Sequence, residues 1–328
     1  AFPAGAQLLL LNLARVLTNN FGYEVEVILC GDGEMTPAYR EAVPTHLELD
    51  PTHLRSRVQD LATQGFTLAI TNTVAAGTAV DVLKDAGFTV LSLVHELPRI
   101  VAEKHLESAA VTLAQNADAI VFPSGIVRDT FLNSVSPTTR PVHVRPQGLY
   151  HAVQRVRGAK SRVLAELELP PQTKLVVNVG FGDLRKGVDL FCAASQQTAT
   201  RIPDVAFVWV GKLEEAVATW FQDRKAFPNV HFVGHRDDVA TFLSAADLFA
   251  LTSREDPYPS VVLEALSLGV PVVAFDNAGG FVELLRGRSL GQLVPYANVP
   301  ALSETIAHAL SQPDGSARAT TIRAQKFA

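Results

Sequence analysis

The sequence has little cysteine, no long apolar run and no excess of positive charge, and each absence excludes a class of protein. Its two cysteines, Cys30 and Cys192, are far apart. Their spacing fits neither a disulfide framework nor a zinc site and favours a reducing cytoplasm. No apolar run approaches the roughly 20 residues that span a bilayer. A net charge of −5 argues against a general nucleic-acid binder, which needs a basic face.

The composition is that of a globular protein with a substantial core. The 328 residues are 48% hydrophobic and 19% charged, which allows two α/β domains. Apolar strand-like runs alternate with helical patterns in both halves and predict a doubly wound parallel sheet in each. The stretch Pro146-Gln147-Gly148-Leu149 interrupts this alternation. We therefore predict two Rossmann-like domains, residues 1–147 and 148–328, facing each other across a cleft.

Both ends of the sequence depart from the usual pattern of such domains. The first residues predict a loop that leads directly into a helix, whereas an α/β domain normally starts with a strand. The last residues, 325–328, fall in or just after a helical pattern. We therefore expect a further strand upstream and a truncated C-terminal end.

The stretch Thr252–Gly280 carries the strongest local signals. It begins as a polar loop after the apolar run Leu248–Leu251, and Ser260 is the expected N-cap of the helix that follows. Loops at the carboxyl edge of a parallel sheet bind ligands, and the N–H groups of a helix N-terminus suit an anion. Asp256 in the loop and Glu264 in the helix are eight positions apart, so both could accept hydrogen bonds from sugar hydroxyls. The alternative is a capped, solvated helix without a ligand.

A second loop, Gly180–Gly187, follows a predicted strand and carries adjacent positive charges. It begins like a dinucleotide fingerprint, but Arg185 stands where the third glycine belongs, and the P-loop pattern does not fit either. Arg185 could reach a diphosphate as a fork and Lys186 as a point charge. Stabilising a departing nucleoside diphosphate in this way would supply much of the catalysis. The alternative is a surface Arg-Lys pair.

The first half offers two candidate positions and the segment between the halves a third. Gly5 lies in the predicted opening loop, where backbone could approach a diphosphate. His95 follows a strand directly, and Glu96 could orient its ring. A turn glycine and a structural histidine are the alternatives. The basic segment between Asp129 and Glu166 contains no acidic residue. It could attract an anionic donor or a membrane lipid, or form a solvated basic face.

Together these motifs resemble the retaining glycosyltransferases of family 4, which have the GT-B fold. The pair Asp256 and Glu264 resembles the acid-x7-Glu donor-site motif, although the family usually has Glu at the first position. That difference leaves open which sugar hydroxyl is reached and whether Glu255 shares the task. In the glycine-flanked loop the family usually has Arg just after the first glycine, where this chain has Phe181. The match to the family's loop residues is therefore firmer for Lys186 than for Arg185.

Three further segments carry the same resemblance. Val94-His95-Glu96-Leu97-Pro98 resembles the family's His-acid element, Pro146-Gln147-Gly148 the link between the halves, and Phe232-Val233-Gly234-His235 the segment that lines the nucleobase pocket. The resemblance implies that His95 and Asp256 contact the transferred sugar and are the catalytic residues. The expected donor-binding residues are Gly5, Gly180, Arg185, Lys186, Val233, Asp256, Pro257, Tyr258, Pro259, Ser260, Val261 and Glu264.

The activity implied by the resemblance is transfer of a sugar from a nucleotide-sugar donor to a hydroxyl acceptor with retention, without a metal or other cofactor. The expected acceptor is a glycan or a lipid-linked glycan in cell-surface polysaccharide synthesis, and no nucleic-acid partner is expected. We expect a cytoplasmic location that includes peripheral contact with the inner face of the membrane.

Three alternatives to this activity remain. One is a GT-B enzyme of another class, such as a sugar-nucleotide epimerase or a phosphorylase, which the Asp256–Glu264 arrangement disfavours. Another is a catalytically silent module that binds a sugar nucleotide. A dehydrogenase that uses NAD is the third, and the broken glycine pattern disfavours it.

Overall fold

The computed structural model describes residues 5–150, 152–221, 226–288 and 290–312. These residues form two compact units, the first ending at residue 151 and the second beginning at Ala152. The division lies a few residues beyond the predicted one because Gln147 donates a hydrogen bond to His95 of the first unit and Tyr150 donates one to Gln147. Residues 1–4 and the C-terminal residues 325–328, on which two of the expectations rest, lie outside the described ranges.

The first unit consists of short parallel strands connected by helices. The elements are α1 (Gly5–Phe21), β1 (Val27–Leu29), α2 (Thr36–Ala42), β2 (Thr45–Leu47), α3 (Pro51–Thr63), β3 (Leu68–Asn72), a 3-10 segment (Val74–Ala79), α4 (Val80–Asp85), β4 (Thr89–Leu93), α5 (Pro98–Glu103), α6 (Glu107–Asn116), β5 (Ala119–Phe122), α7 (Gly125–Ser134) and β6 (Val142–Val144). Strands β3, β4, β5 and β6 form one parallel sheet in that order, and β1 pairs with β2 in another. The carboxyl ends of β3 and β4 therefore lie side by side.

Three local predictions in the first unit were wrong. Gly5 is the first residue of α1 and does not lie in a loop. The sequence from Ile100 to Asn116 favours a single helix, but the structure has two, α5 and α6, because His105 between them has a φ of 53°. Helix α7 was missed, although its N-cap was in the sequence: the Ser124 hydroxyl accepts a hydrogen bond from the Val127 N–H at 3.2 Å.

The second unit is a six-stranded parallel sheet with helices between its strands. The elements are α8 (Ala159–Glu166), β7 (Lys174–Val179), α9 (Val188–Ala199), β8 (Val205–Val210), α10 (Glu215–Ala218), a 3-10 segment (Thr219–Phe221), β9 (Val230–Phe232), α11 (Val239–Ala245), β10 (Leu248–Leu251), α12 (Ser260–Ser267), β11 (Val272–Phe275), α13 (Phe281–Arg288), β12 (Gly291–Val294) and α14 (Val299–Ser311). The strand order is β12-β11-β10-β7-β8-β9. Every residue of β8, β10 and β11 is buried, as expected for a parallel sheet covered on both faces.

The strand order of the second unit creates a topological switch point between β7 and β10. Chain order runs from β7 through β8 to β9 on one side, and from β10 through β11 to β12 on the other. The loops that follow β7 and β10 therefore leave the same edge of the sheet in diverging directions. Ligands of open α/β sheets bind at such a point.

The basic segment between the halves makes structural contacts where the structure describes it. The Arg155 guanidinium donates to the Leu268 carbonyl at the end of α12, at 3.1 Å. Lys160 pairs with Asp247 at 2.6 Å. These contacts favour a structural role for Arg155 and Lys160. Among the described residues, none of the helices is both long enough and apolar enough to cross a bilayer.

Candidate active site

The loop after β7, Gly180–Gly187, is here named the glycine loop, and close packing fixes its shape. The Trp209 indole N–H donates to the Gly180 carbonyl at 3.0 Å. Gly187 has a φ of 73°, and a Cβ there would lie 2.0 Å from the Thr252 carbonyl oxygen. The Lys186 N–H donates to the Asp183 carboxylate at 2.6 Å. The loop is therefore held against β8 on one side and against the segment after β10 on the other.

The loop after β10, Thr252–Pro259, is here named the acid loop. Its backbone rests on the turn after β11: the Asp256 N–H donates to the Ala278 carbonyl and the Gly280 N–H to the Pro257 carbonyl, both at 2.8 Å. Gly279 in that turn has a φ of 151°, and a Cβ there would lie 1.6 Å from the Asp256 carbonyl oxygen. Only glycine fits this close approach, so the turn fixes the position of Asp256.

Arg254 and Arg185 join the two loops. The Arg254 guanidinium donates to both carboxylate oxygens of Asp189, at the start of α9, and to the Leu184 carbonyl, each at 2.7 Å. The Arg254 N–H donates to the Arg185 carbonyl at 2.8 Å. In return the Arg185 guanidinium donates to the Glu255 carbonyl at 3.0 Å. The glycine loop and the acid loop therefore form one surface.

At the centre of this surface Lys186 forms an ion pair with Asp256. The lysine ammonium contacts Asp256 Oδ2, and the side chains are 18% and 6% exposed. The Ser253 hydroxyl lies 3.4 Å from the same carboxylate oxygen, and Gly180 packs beside the lysine, where a Cβ would lie 3.8 Å from its Cε. The sequence placed these residues on separate loops, and the structure brings the cation and the carboxylate into contact.

Helix α12 begins directly after the acid loop. Its N-cap is Pro259, without a side-chain cap, and Ser260 is the first helical residue, so the prediction of Ser260 as the N-cap was wrong. The N–H groups of a first helical turn have no acceptor within the helix and form its positive end. Tyr258 and Val261 are each 9% exposed and pack the loop onto the core, and Glu264 lies about one turn along the helix, partly buried.

Val233, the candidate for the nucleobase side, lies on the opposite side of β7 from the acid loop. It directly follows β9, and its N–H donates to the carbonyl of Trp209 in β8 at 3.1 Å. Gly234 beside it accepts a hydrogen bond from the N–H of Gly211 at 2.8 Å. The candidates of the second unit therefore all follow strands of one sheet and lie at its carboxyl edge.

In the first unit, His95 is the centre of a hydrogen-bonded network. Its Nε2 lies 2.9 Å from Asn72 Oδ1, and its Nδ1 lies 2.8 Å from Gln147 Nε2. Asn72 donates to the Ala6 carbonyl at 2.9 Å, and the Tyr150 hydroxyl donates to Gln147 at 2.7 Å. These five residues, Ala6, Asn72, His95, Gln147 and Tyr150, are here named the histidine network. Burial lowers the pKa of His95 to about 4.

Glu96 does not orient the His95 ring, contrary to the hypothesis from the sequence. Its carboxylate accepts hydrogen bonds from the backbone N–H groups of Val74, at 3.0 Å, and of His95, at 3.2 Å. Burial raises the pKa of the Glu96 carboxyl, against the opposing effect of these N–H donors. Glu96 thereby holds the turn at Thr73, a β-branched residue with a φ of 76° and a ψ of 157°, a strained conformation.

Asn72, Gln147 and Tyr150 were not among the predicted site residues. Asn72 and Gln147 are 23 and 52 positions from His95 in the chain, so no local pattern links them to it. The neighbouring ends of parallel strands were the available signal for Asn72. Gly5 lies near the network, since a Cβ there would be 3.8 Å from the Tyr150 hydroxyl.

The described residues contain no group of three or more histidine, cysteine, aspartate or glutamate side chains that could hold a metal ion. In the ion pair described above, Asp256 is engaged with a lysine ammonium. The expectation that no metal or other cofactor takes part stays a prediction.

The fold and the arrangement of these loops define the chain as a protein of the GT-B glycosyltransferase fold. The Anabaena protein HepE, solved in complex with UDP and glucose, is similar to this chain with a TM-score of 0.83 and 20% identity, over 99% of this chain and 91% of that one. At this level of identity the likeness shows the fold and nothing further.

Sequence comparison gives the family. Residues 160–327, just over half of the chain, match the family model described as glycosyl transferases group 1. The chain therefore belongs to the group 1 glycosyltransferases. An uncharacterized glycosyltransferase of Haemophilus influenzae is 26% identical over 153 residues, 46% of this chain and 42% of that protein. A lipopolysaccharide core biosynthesis glycosyltransferase of Rhizobium meliloti is 30% identical over 118 residues, 35% of this chain and 33% of that protein. The chain thus matches less than half the length of these two relatives.

Proposed function

We propose that this chain transfers a sugar from a nucleotide-sugar donor to a hydroxyl acceptor, with retention of anomeric configuration and without a metal ion. The observation that carries the proposal is the contact between Lys186 and Asp256 at the switch point of the second unit. A diphosphate requires a cation, and a sugar requires groups that accept hydrogen bonds from its hydroxyls. Lys186 and Asp256 provide one of each within a single contact.

Lys186 is the group proposed to bind and stabilise the departing nucleoside diphosphate. Its side chain is 18% exposed, and a charge interaction in such a partly buried site is stronger than in water. The negative charge on the leaving phosphate grows as the bond from the sugar carbon to the phosphate oxygen breaks. A cation already in place stabilises that charge without reorganisation. Arg185 and the positive end of α12 would add to this effect, and they take the role that a metal ion plays elsewhere.

Asp256 is the proposed contact for the hydroxyls of the transferred sugar, with Glu264 for the ribose and Val233 for the base. The turn at Gly279 fixes the position of Asp256, which is 4% exposed. Pro257, Tyr258, Pro259, Ser260 and Val261 would shape the surface that the donor contacts. In the first unit, Gly5 would allow approach to the diphosphate and His95 would contact a sugar hydroxyl.

To explain retention, we propose that the new bond forms and the old bond breaks on the same face of the sugar. The acceptor oxygen forms the new bond to the sugar carbon on the side from which the diphosphate leaves. The acceptor proton passes to an oxygen of the departing phosphate. No covalent sugar–enzyme intermediate is proposed, because the Asp256 carboxylate is engaged with Lys186.

The proposed donor class is a UDP-sugar and the proposed acceptor a surface glycan or its lipid-linked precursor. The Anabaena neighbour was solved with UDP and glucose, and the Rhizobium relative acts in lipopolysaccharide core biosynthesis. Synthesis on a lipid-linked acceptor would bring the protein to the inner face of a membrane as a peripheral protein.

Ligand-dependent thermal stability and product analysis test the proposal. The chain is incubated with UDP-, GDP- and ADP-sugars, and the same series is run on Lys186→Met and Asp256→Asn. We expect one nucleotide class to raise the melting temperature, Lys186→Met to abolish that rise, and Asp256→Asn to keep nucleotide binding but lose transfer and slow donor hydrolysis. Lys174→Met is the control, since Lys174 lies in the same unit and contacts Asp247 at 3.7 Å, away from both loops.

Each outcome decides a separate part of the proposal. Equal melting shifts in the wild type and in Lys186→Met would reject the site. Donor binding by the wild type without hydrolysis or transfer would favour a silent binding module. A product of inverted configuration, read from the anomeric proton signals, would reject retention.

A further inference from the structure

The partners of His95 determine where its ring carries a proton. The amide oxygen of Asn72 can only accept a hydrogen bond, so Nε2 of His95 must donate at this 2.9 Å contact. The amide nitrogen of Gln147 can only donate, so Nδ1 must accept at 2.8 Å. A ring that donates at one nitrogen and accepts at the other is neutral. The orientation of the Asn72 amide is itself fixed, because its nitrogen donates to the Ala6 carbonyl.

Gln147 is the less constrained partner, and it decides between two states of the ring. In the arrangement observed, its oxygen accepts from the Tyr150 hydroxyl at 2.7 Å and its nitrogen donates to His95. An inverted amide would place its oxygen at Nδ1 and would require a second proton on the ring. Burial opposes that charge, which is why the pKa of His95 falls to about 4. The observed orientation leaves every member of the network with a partner.

We propose that Asn72 and Gln147 are positioning residues that hold His95 neutral with its proton on Nε2, and that His95 orients a substrate without transferring a proton. The role in transfer rests on the proposed function, whereas the state of the ring does not. Each ring nitrogen contacts an amide, which neither supplies nor removes a proton, and a sugar hydroxyl that contacts the ring would replace one of these amides. Two titratable groups among the described residues lie near the ring: Glu96, which is bound to backbone N–H groups, and Tyr150 at the end of the network.

The decisive measurement is the protonation state of His95 in the whole chain. Nitrogen-15-labelled histidine is observed in long-range proton–nitrogen correlation spectra from pH 5 to pH 8, and His95→Gln assigns the signal among the nine histidines. We expect wild-type His95 to show a protonated Nε2 and an unprotonated Nδ1 throughout. Gln147→Glu places a carboxylate at Nδ1, so the ring should take a second proton and its pKa should rise by two units or more.

Two further variants complete the series. Gln147→Met removes the donor to Nδ1 without adding charge; because Asn72 still accepts from Nε2, we expect the ring to stay neutral with its proton on Nε2. Gln64→Glu adds the same charge at an exposed position of the first unit and should leave the His95 signal unchanged. Circular dichroism checks that each variant is folded.

The pH dependence of kcat then connects the ring to the reaction. Between pH 5 and pH 8 we expect wild-type kcat to show no dependence on pH that is due to titration of His95. In Gln147→Glu, kcat should change with pH at the raised pKa of the His95 ring. Gln147→Met should lower kcat about tenfold with little change in KM. A wild-type His95 that titrates near pH 6.5, carries its proton on Nδ1, or is unaffected in Gln147→Glu would overturn the proposal. Spectra as expected from a chain that transfers no sugar would support the state of the ring and count against the proposed function alone.

Discussion

Replacing Arg254 with methionine should destabilise the second unit and weaken donor binding, although Arg254 is not proposed to touch the donor. Its guanidinium makes three hydrogen bonds of 2.7 Å, two to Asp189 and one to the Leu184 carbonyl. Methionine keeps most of the aliphatic side chain and removes all three bonds. It also leaves the Asp189 carboxylate without its partner.

The expected loss follows from the burial of the pair. The Arg254 and Asp189 side chains are 28% and 32% exposed, so solvent screens the pair less than a pair on the open surface. A forked, charge-assisted contact at this depth contributes about 1.5 kcal/mol after that screening. The bond to the Leu184 carbonyl adds about 1 kcal/mol. We therefore expect the free energy of unfolding of the second unit to fall by about 2.5 kcal/mol.

Tryptophan fluorescence during urea unfolding measures this change in the second unit selectively. The chain has two tryptophans, Trp209 and Trp220, and both belong to the second unit. Trp209 is fully buried and donates to Gly180 of the glycine loop, so its emission should respond when that unit unfolds. The slope of the free energy against urea should be equal in the two proteins. A tenfold weaker donor affinity is expected in the same variant.

Arg286→Met is the matched control. Arg286 also contacts both oxygens of a carboxylate, Asp276, at 2.6 and 2.7 Å, but its side chain is 60% exposed. We expect a loss of about 0.5 kcal/mol for this surface pair. If Arg254→Met has no larger effect, or if Arg254→Met and Asp189→Asn are additive in the double variant, the two residues do not act as a clamp between the loops.

Three other perturbations have definite expected results. Gly279→Ala should lower the stability of the second unit by about 2 kcal/mol or more and abolish the donor-dependent melting shift. Gly31→Ala, where a Cβ would have nothing within 4 Å, should do neither. If the two variants have the same stability and the same melting shift, the close packing at Asp256 is rejected. Thr73→Gly should stabilise the first unit by about 1 kcal/mol in calorimetry, because glycine relieves the strained φ of 76°; destabilisation would contradict the strain. Between pH 7 and pH 4 the wild type should lose about 3 kcal/mol more stability than His95→Gln. The pKa of His95 is about 4 in the folded chain and about 6.5 in the unfolded chain, so protons favour the unfolded chain as the pH falls. If the free energy of unfolding of the two proteins changes with pH in parallel, the ring is not buried in its neutral form.

Most of the second sheet could be predicted from the sequence, because its strands are continuous apolar runs. The apolar runs Lys174–Val179, Leu248–Leu251 and Val272–Phe275 predict three strands, and these limits are those of β7, β10 and β11. All residues of β10 and β11 are buried. The break at His105 was not predictable, since histidine favours a left-handed conformation more than most residues but still adopts it only in a small minority of cases. Strand β12 was missed because Gly291–Val294 contains a single alternation of polar and apolar residues, too short to indicate a strand.

The candidate site was predictable in its residues but not in its contacts. The loops that carry Lys186 and Asp256 were recognised because each follows a buried strand. Their direct pairing depends on which strands are neighbours, and the sequence does not give that order. The partners of His95 depend on chain segments up to 52 positions away, so Glu96, its neighbour in sequence, was the wrong choice.

The ion pair between Lys186 and Asp256 has a consequence for selectivity. An incoming anion must compete for the ammonium with a carboxylate that is already in place, so a simple inorganic anion such as chloride or sulfate gains little by binding there. A molecule that offers an anionic group to Lys186 and hydroxyl donors to Asp256 satisfies both partners as they separate. The pair would in this way bind simple inorganic anions weakly and phosphorylated carbohydrates more tightly.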